Sequence, residues 1–273
     1  MTNSSMLDSP YLVRPGKKFK LSKIDPGDTG KYKDKEHVGP DVAENLQALD
    51  RLQEVLYAQS KFALLVVFQA MDAGGKDGAI EHIFSGVNPQ GCSVASFKAP
   101  SHLELAHDYL WRYHLAVPRK GMIGIFNRSH YESVLVERVK GIVPKKVWGA
   151  RYDQINAFEE MLAGEDVVVM KFYLHISKDE QKRRLEARLA DPEKHWKFDP
   201  GDLETRKHWD DYMAAFEDAL GKCSTARAAW YAIPPNRKWF RNWAISDIIV
   251  RTMKALPLAY PKPAEDVTKY RVK

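Results

Sequence analysis

Seven consecutive apolar residues, Phe62 to Phe68 (FALLVVF), run directly into a glycine-rich turn, QAMDAGGKDG, that ends at Gly78. A run this rich in Val and Leu, with no polar alternation, suits a strand buried on both faces of a parallel sheet. Parallel strands need long crossover connections, so the run commits the chain to an α/β fold with this strand at its centre. The turn then brings Gly74, Gly75, Lys76 and Gly78 just ahead of a helix-compatible stretch from near Ala79. Glycines let the backbone approach an anion, the free N–H groups and dipole at a helix start point at it, and a lysine adds a full charge. Ala73, Gly74, Gly75, Lys76, Asp77 and Gly78 are therefore the candidate phosphate cradle. Against the pattern G-x-x-x-x-G-K-[ST], Gly75 and Lys76 fit, whereas Ala70 stands at the first glycine and Asp77 replaces the magnesium-binding hydroxyl. An ordinary glycine-containing βα turn with a solvated lysine is the competing reading.

The remaining apolar runs supply the other strands. Cys92 to Phe97, Gly121 to Phe126, Val167 to Leu174 and Ala228 to Ile233 alternate with stretches of helical apolar spacing. Leu46, Leu49, Leu52, Val55 and Leu56 predict a helix over 42–59, with Pro40 and Asp41 as its start signals. Ser101 and Glu104 make a capping box that opens a helix over 102–114, and Ser177 with Glu180 makes a second one. Tyr152, Ile155, Phe158 and Leu162 mark a helix closed by Gly164; Trp209, Tyr212, Phe216 and Leu220 mark another, and Trp239, Trp243, Ile248 and Ile249 the last. Five strands interleaved with helices predict one three-layer α/β domain over 1–273, a parallel five-stranded sheet with helices on both faces. Residues 1–39 read as a basic extension, 178–208 as a helical lid punctuated by Pro and Gly, and 257–273 as an irregular tail.

Composition narrows the partners. With 273 residues, 44% of them hydrophobic, the chain can bury a sizeable core. Its net charge of +6 favours an anionic partner, whether nucleic acid, membrane surface, nucleotide or another polyanion. No apolar run approaches the length of a membrane span, and MTNSSMLDSP has neither the basic segment nor the apolar core of a signal peptide, so a cytoplasmic protein without membrane contact is expected. Cys92 and Cys223 lie far apart and read as structural, in keeping with a reducing compartment. The nine histidines form no zinc or triad signature. No homeodomain, finger or RNP-type motif accompanies the basic charge, so nucleic acid is not the expected partner.

In open α/β sheets ligands gather outside the carboxyl ends of the strands, so Asn127-Arg128-Ser129-His130-Tyr131-Glu132, after the third strand, should emerge beside the cradle. A carboxylate there can hold magnesium and Arg128 can stabilise a transferring phosphoryl group. The plainer alternatives are a surface Glu132 paired with Lys or Arg and an Asn127 that only caps a helix. Arg112 either meets a phosphate or simply suits the end of its helix. The arginines after Ser177 fit a hinged lid over a phosphate site, and equally a solvated, salt-bridged hairpin.

Four segments, FQAMDAGGKDG, FNRSHYE, YDQINAFE and HISKDEQKRRLEARLADPEKHWKFDPGDLETRKHWDDY, together resemble the polyphosphate kinase 2 family of nucleotide phosphotransferases, with the likeness running from about Val13 to Leu256. The resemblance implies a P-loop kinase-like fold, similar to thymidylate kinases, with a helical lid, in a homo-oligomer (dimer or tetramer). It implies phosphoryl transfer between inorganic polyphosphate and AMP or ADP, with ATP among the nucleotides handled, assisted by Mg2+ or by Mn2+ in its place. Asp72, Lys76 and Arg128 fall on the family's catalytic cradle and second motif; Arg184, Arg188, Lys194 and Lys197 fall in its lid. Many members carry DRSWYN where this chain has Asn127 to Glu132, so the aspartate credited with magnesium is absent. Asp72 and Glu132 are then the expected metal ligands, and the FNRSHYE version resembles the branch that phosphorylates both AMP and ADP. A nucleotide phosphate is already anionic at neutral pH, so such a site needs alignment and charge neutralisation more than a strong base. An ATP-dependent nucleoside monophosphate kinase would share fold and lid and differ in its donor.

Overall fold

The apolar run folds as β1 (Ala63–Ala70), buried at every position, in a computed structural model that describes residues 9–272. The first eight residues of the basic extension and the last residue of the tail lie outside the described residues. With β2 (Cys92–Ser96), β3 (Ile123–Asn127), β4 (Val167–Leu174) and β5 (Trp230–Ile233), β1 forms one sheet in the order β2-β3-β1-β4-β5, parallel throughout. The expected central strand is central. Its alternate residues feed two separate cores, Leu64, Val66 and Phe68 on one side and Leu65 and Val67 on the other. That is the three-layer arrangement, and no residue of β1 faces water.

The helices, in chain order, are α1 (Lys35–Gln59), α2 (Lys76–Phe84), α3 (His102–Leu105), α4 (Trp111–His114), α5 (Val136–Val139), α6 (Lys145–Gly164), α7 (Lys178–Leu189), α8 (Pro200–Lys207), α9 (Trp209–Cys223) and α10 (Lys238–Lys254). Leu49 and Leu56 of α1, Ile80 and Ile83 of α2, and Phe240, Ile245 and Ile249 of α10 fill one core. Tyr152, Ile155 and Phe158 of α6 with Phe216 and Leu220 of α9 fill the other. Among the described residues no helix is long and apolar enough to cross a membrane.

Three expectations change. α1 begins seven residues before residue 42, because the Asp34 side chain accepts from the His37 N–H and caps it there; that cap outweighs the one helical hydrogen bond that Pro40, inside the helix, is unable to donate. The single helix over 102–114 is two short ones. Its capping box forms, yet Asp108 then accepts from the Leu110 N–H at 2.9 Å and draws the backbone out of the helical path. The basic extension, read as an arm set apart by its charge, is anchored to the sheet. Leu12 bridges Tyr231 in antiparallel fashion, Val13 N donates to Trp230 O and Ala232 N to Tyr11 O, so the extension covers the open edge of β5 while its lysines stay exposed.

Candidate active site

The loop between β1 and α2 is shaped by its small residues. Ala73 and Gly75 have φ of +58° and +97°. A Cβ on Gly74 would sit 2.6 Å from Ala70 Cβ and 2.8 Å from Met71 O, and one on Gly75 would overlap the Arg241 guanidinium. Only glycine lets the chain turn so closely. α2 then starts at Lys76 with no side chain capping its first N–H groups, which leaves them and the helix dipole directed at the loop. The Lys76 side chain folds back over this turn, its Nζ donating to Ala70 O at 3.1 Å. Burial, then the Arg128 charge, hold its ammonium below the usual lysine range, against the pull of Asp72, Glu132 and Asp77.

On one flank the loop meets a group of cations. Arg184 of α7 is buried and fully engaged: Nη1 donates to Ala73 O at 3.1 Å, Nη2 to Pro235 O at 2.6 Å, and Nε lies 2.7 Å from Glu180 Oε1. Arg241 of α10, 2% exposed, donates to Gly75 O at 3.0 Å and to its neighbour Asn242, and among the described residues it has no carboxylate partner. Burial, with Arg184 beside it, brings its guanidinium down to about 10. Lys238 is lowered as well, by burial first and then by Arg184, Arg241 and Arg183. A partly desolvated cluster of cations short of counter-charge is a site made for anions.

The other flank opens into a cavity of about 680 Å³, within the range that holds a nucleotide-sized ligand. It is lined by Ala70 to Asp72, by Phe97, Tyr109, Tyr113 and Tyr212, and by Asp199, Gly201, Asp202 and Thr205 of α8 and its N-cap, in the segment expected to be a lid. Here the carboxylates gather. Phe68 pairs in register with Asn127, so the ends of β1 and β3 lie side by side. Arg128, at φ +63°, reaches across to Asp72 at 3.1 Å. Glu132 is held above the ordinary glutamate value by burial, which outweighs Arg128, Lys76 and Gln69; Asp72 adds to the rise. Asp202 is pushed up to about 6, by burial and then by Asp72, although Arg188 pairs with it at 3.3 Å.

These hard oxygen donors fit a magnesium ion that keeps several waters and takes one or two protein carboxylates. Asp72 and Glu132, which both line the cavity, would be the pair to hold it. Among the described residues no group of three or more His, Cys, Asp or Glu stands ready to hold a metal by itself, so substrate phosphates and water would have to complete the shell. Asn127 donates to Asp77 Oδ1 at 2.6 Å. Where the common pattern has a hydroxyl on α2 and a carboxylate on β3, this chain has a carboxylate on α2 and an amide on β3, and the two side chains bind each other.

Asp72, Arg112, Arg128 and Glu132 thus line one cavity, next to the loop that bears Lys76. Arg112 pairs with Glu104 at 3.0 Å and donates to Lys98 O while it also lines the cavity. Arg184 and Arg188 are committed to protein partners. Lys194, paired with Asp191 at 2.5 Å, and Lys197, stacked on Trp196, are exposed and outside the cavity lining. Ser177 caps α7, but the reciprocal half of that capping box is missing because the Glu180 carboxylate is taken by Arg183 and Arg184.

Three contributors escaped sequence reasoning. Arg241 lies on the buried stripe of α10 with Ala244, Ile245 and Ile248, and a charge at an apolar position was its signal. Gln181, fully buried, donates to Asp72 O at 2.9 Å and accepts from Arg206 at 2.8 Å, linking cradle to lid. Asp202 had no signal beyond its place in the lid.

The sequence profile described as Polyphosphate kinase 2 (PPK2) matches residues 32–259. The chain is similar to an AMP/ADP-polyphosphate phosphotransferase of Meiothermus ruber, 53% identical over 254 residues that cover 93% of this chain and 95% of that one. It is 44% identical to an ADP-polyphosphate phosphotransferase of Rhodopseudomonas palustris, covering 92% and 91% respectively. Among solved structures, polyphosphate kinase 2 from Arthrobacter aurescens TC1 superposes with a TM-score of 0.90 at 41% identity, covering 94% of this chain and 92% of that one.

Proposed function

The chain belongs to the polyphosphate kinase 2 family, and from that premise we propose that it transfers a phosphoryl group from inorganic polyphosphate to AMP and ADP, forming ADP and ATP. The observation that carries this reading is the division of charge about the cradle. Arg184, Arg241 and Lys238 form a flank in which Glu180 is the carboxylate paired with a cation, while Asp72, Glu132 and Asp202 face the cavity on the other flank together with Arg112 and Arg128. A linear polyanion suits the first flank. A nucleotide suits the second, where aromatic walls receive the base and ribose and where Asp72 and Glu132 would hold magnesium, or manganese in its place, against the phosphates.

Chemistry then takes place between the flanks. A phosphate oxygen of the nucleotide, already anionic, attacks the terminal phosphorus of the polyphosphate; the bond from that phosphorus to the chain breaks, and the chain leaves one unit shorter as an anionic phosphate. No proton has to move, and the protein's task is alignment and neutralisation. Bound magnesium supplies further neutralisation of the phosphate charge. Lys76 and the first N–H groups of α2 hold the donor end, and Arg128 spans toward the transferring group. We place the protein in the cytoplasm and expect it to assemble with copies of itself.

An ATP-dependent kinase would bind a donor of few charges on the cation flank, and salt separates the two. Polyphosphate neutralised by several cations releases counterions on binding, as nucleic-acid backbones do, so its affinity should fall steeply with salt. Raising salt from about 50 to 300 mM should raise the KM for long polyphosphate much more than that for ADP, and Arg241→Met should flatten the polyphosphate slope. Equal slopes in the unmodified protein would count against polyphosphate as donor.

A further inference from the structure

Beneath the turn that carries Arg128 and Glu132 lies a closed polar network that the chemistry above does not use. Glu159 of α6 and Lys171 of β4 are both 0% exposed, and their charged ends meet at 2.5 Å. Lys171 Nζ also donates to Tyr131 OH at 2.8 Å and to Cys223 O at 2.6 Å, which occupies all three of its N–H donors. The other Glu159 oxygen accepts from Tyr131 OH at 2.9 Å and lies 3.1 Å from His130 Nε2. Burial alone would raise the Glu159 carboxyl, but Lys171 and His130 outweigh it and hold the group below its ordinary value, so it stays ionised.

A buried pair of this kind gives little net stability, because desolvation cancels most of the attraction. Its geometry is specific instead. His130 and Tyr131 begin the 3-10 turn His130–Val134, which Ser129 caps; Ser129 follows Arg128, whose positive φ is a strained conformation for a residue with a side chain. Such strain persists only where the surroundings fix it. Here they do so through Gln69 on Ser129, Glu159 on His130 and Tyr131, and Arg151 on Ser133 O. Glu159 is also the last residue of YDQINAFE, a segment with no group in the cavity apart from its neighbour Arg151.

We propose that Glu159 and Lys171 are positioning residues for phosphoryl transfer: through Tyr131 and His130 they fix the turn that aims Arg128 and Glu132 into the cavity. The inference rests on the kinase reading above. Two variants test it, each read for kcat, for KM toward polyphosphate and ADP separately, and for thermal midpoint. Tyr131→Phe removes only the hydroxyl that joins the turn to the pair. Glu159→Met combined with Lys171→Met replaces the whole pair by apolar chains, a change that buried pairs often tolerate without losing stability.

Misplacement of a catalytic group by about 1 Å costs roughly 100-fold, so kcat should fall about 30- to 100-fold in the double variant and about tenfold in Tyr131→Phe, with KM for polyphosphate within about twofold. Adding Arg128→Ala to the double variant should then cost far less than Arg128→Ala costs alone, because the same group has already been displaced. Folded variants with unchanged kcat, or full additivity with Arg128→Ala, would overturn the proposal. Should the double variant fail to fold, Tyr131→Phe decides. Unmodified protein that used ATP but not polyphosphate would overturn only the donor assignment, and the positioning test would then be read with ATP.

Discussion

At the residue scale the account rests on Lys76 and Glu132. Lys76 is 8% exposed and sits at an uncapped helix start, where a lost cation is not replaced by water. Lys76→Ala should therefore cost about 3 kcal/mol of transition-state stabilisation, a fall in kcat of about 100-fold or more, with the fold intact. A kinetic comparison at matched thermal midpoint checks this, and near-normal turnover would remove Lys76 from the site. Glu132 makes the opposite kind of contribution. Its carboxylate is held above the usual range by burial, so magnesium binding draws on a group reluctant to ionise. The magnesium concentration for half-maximal rate should accordingly rise as pH falls toward the Glu132 value, and Glu132→Gln should raise it about tenfold at neutral pH and abolish that dependence. An unchanged requirement would move the metal elsewhere.

At the scale of elements the lid is the informative part. Asp202 on α8 faces Arg188 from α7, Asp199 from its own N-terminus, and Asp72 and Arg128 from the cradle side. Its folded value of about 6 exceeds its ordinary 3.8, so between these the folded protein binds the extra proton, and stability declines as pH rises through that interval and stays lower above it. Asp202→Asn removes this dependence. The variant should melt higher than the unmodified protein at about pH 7.5, with the gap closing as pH falls from about 6 to 4. Parallel melting curves across that range would show that Asp202 carries no such strain. The lid also marks the limit of legibility. Its helices were readable from Ser177, Pro192 and Pro200, but its charges were not all assignable, because a pairing such as Arg188 with Asp202 depends on where a turn folds back. Helix spacing carries no record of that.

At the scale of the whole molecule the sheet was the most legible part, since a strand buried on both faces has to be largely apolar, and β1 and β4 are apart from Gln69 and Lys171. Less visible was the division of charge about the cradle, which needs α10, from the far end of the chain, to bring Arg241 to Gly75. That division is what makes polyphosphate, rather than ATP, the donor on this account. The most direct measurement gives purified protein magnesium, long-chain polyphosphate and either AMP or ADP, without ATP, and resolves the nucleotides by chromatography while following polyphosphate length. ADP and ATP should accumulate from AMP, and ATP from ADP, as the polyphosphate shortens unit for unit. Nucleotides left unphosphorylated by polyphosphate, in a preparation that converts AMP to ADP when given ATP, would contradict it.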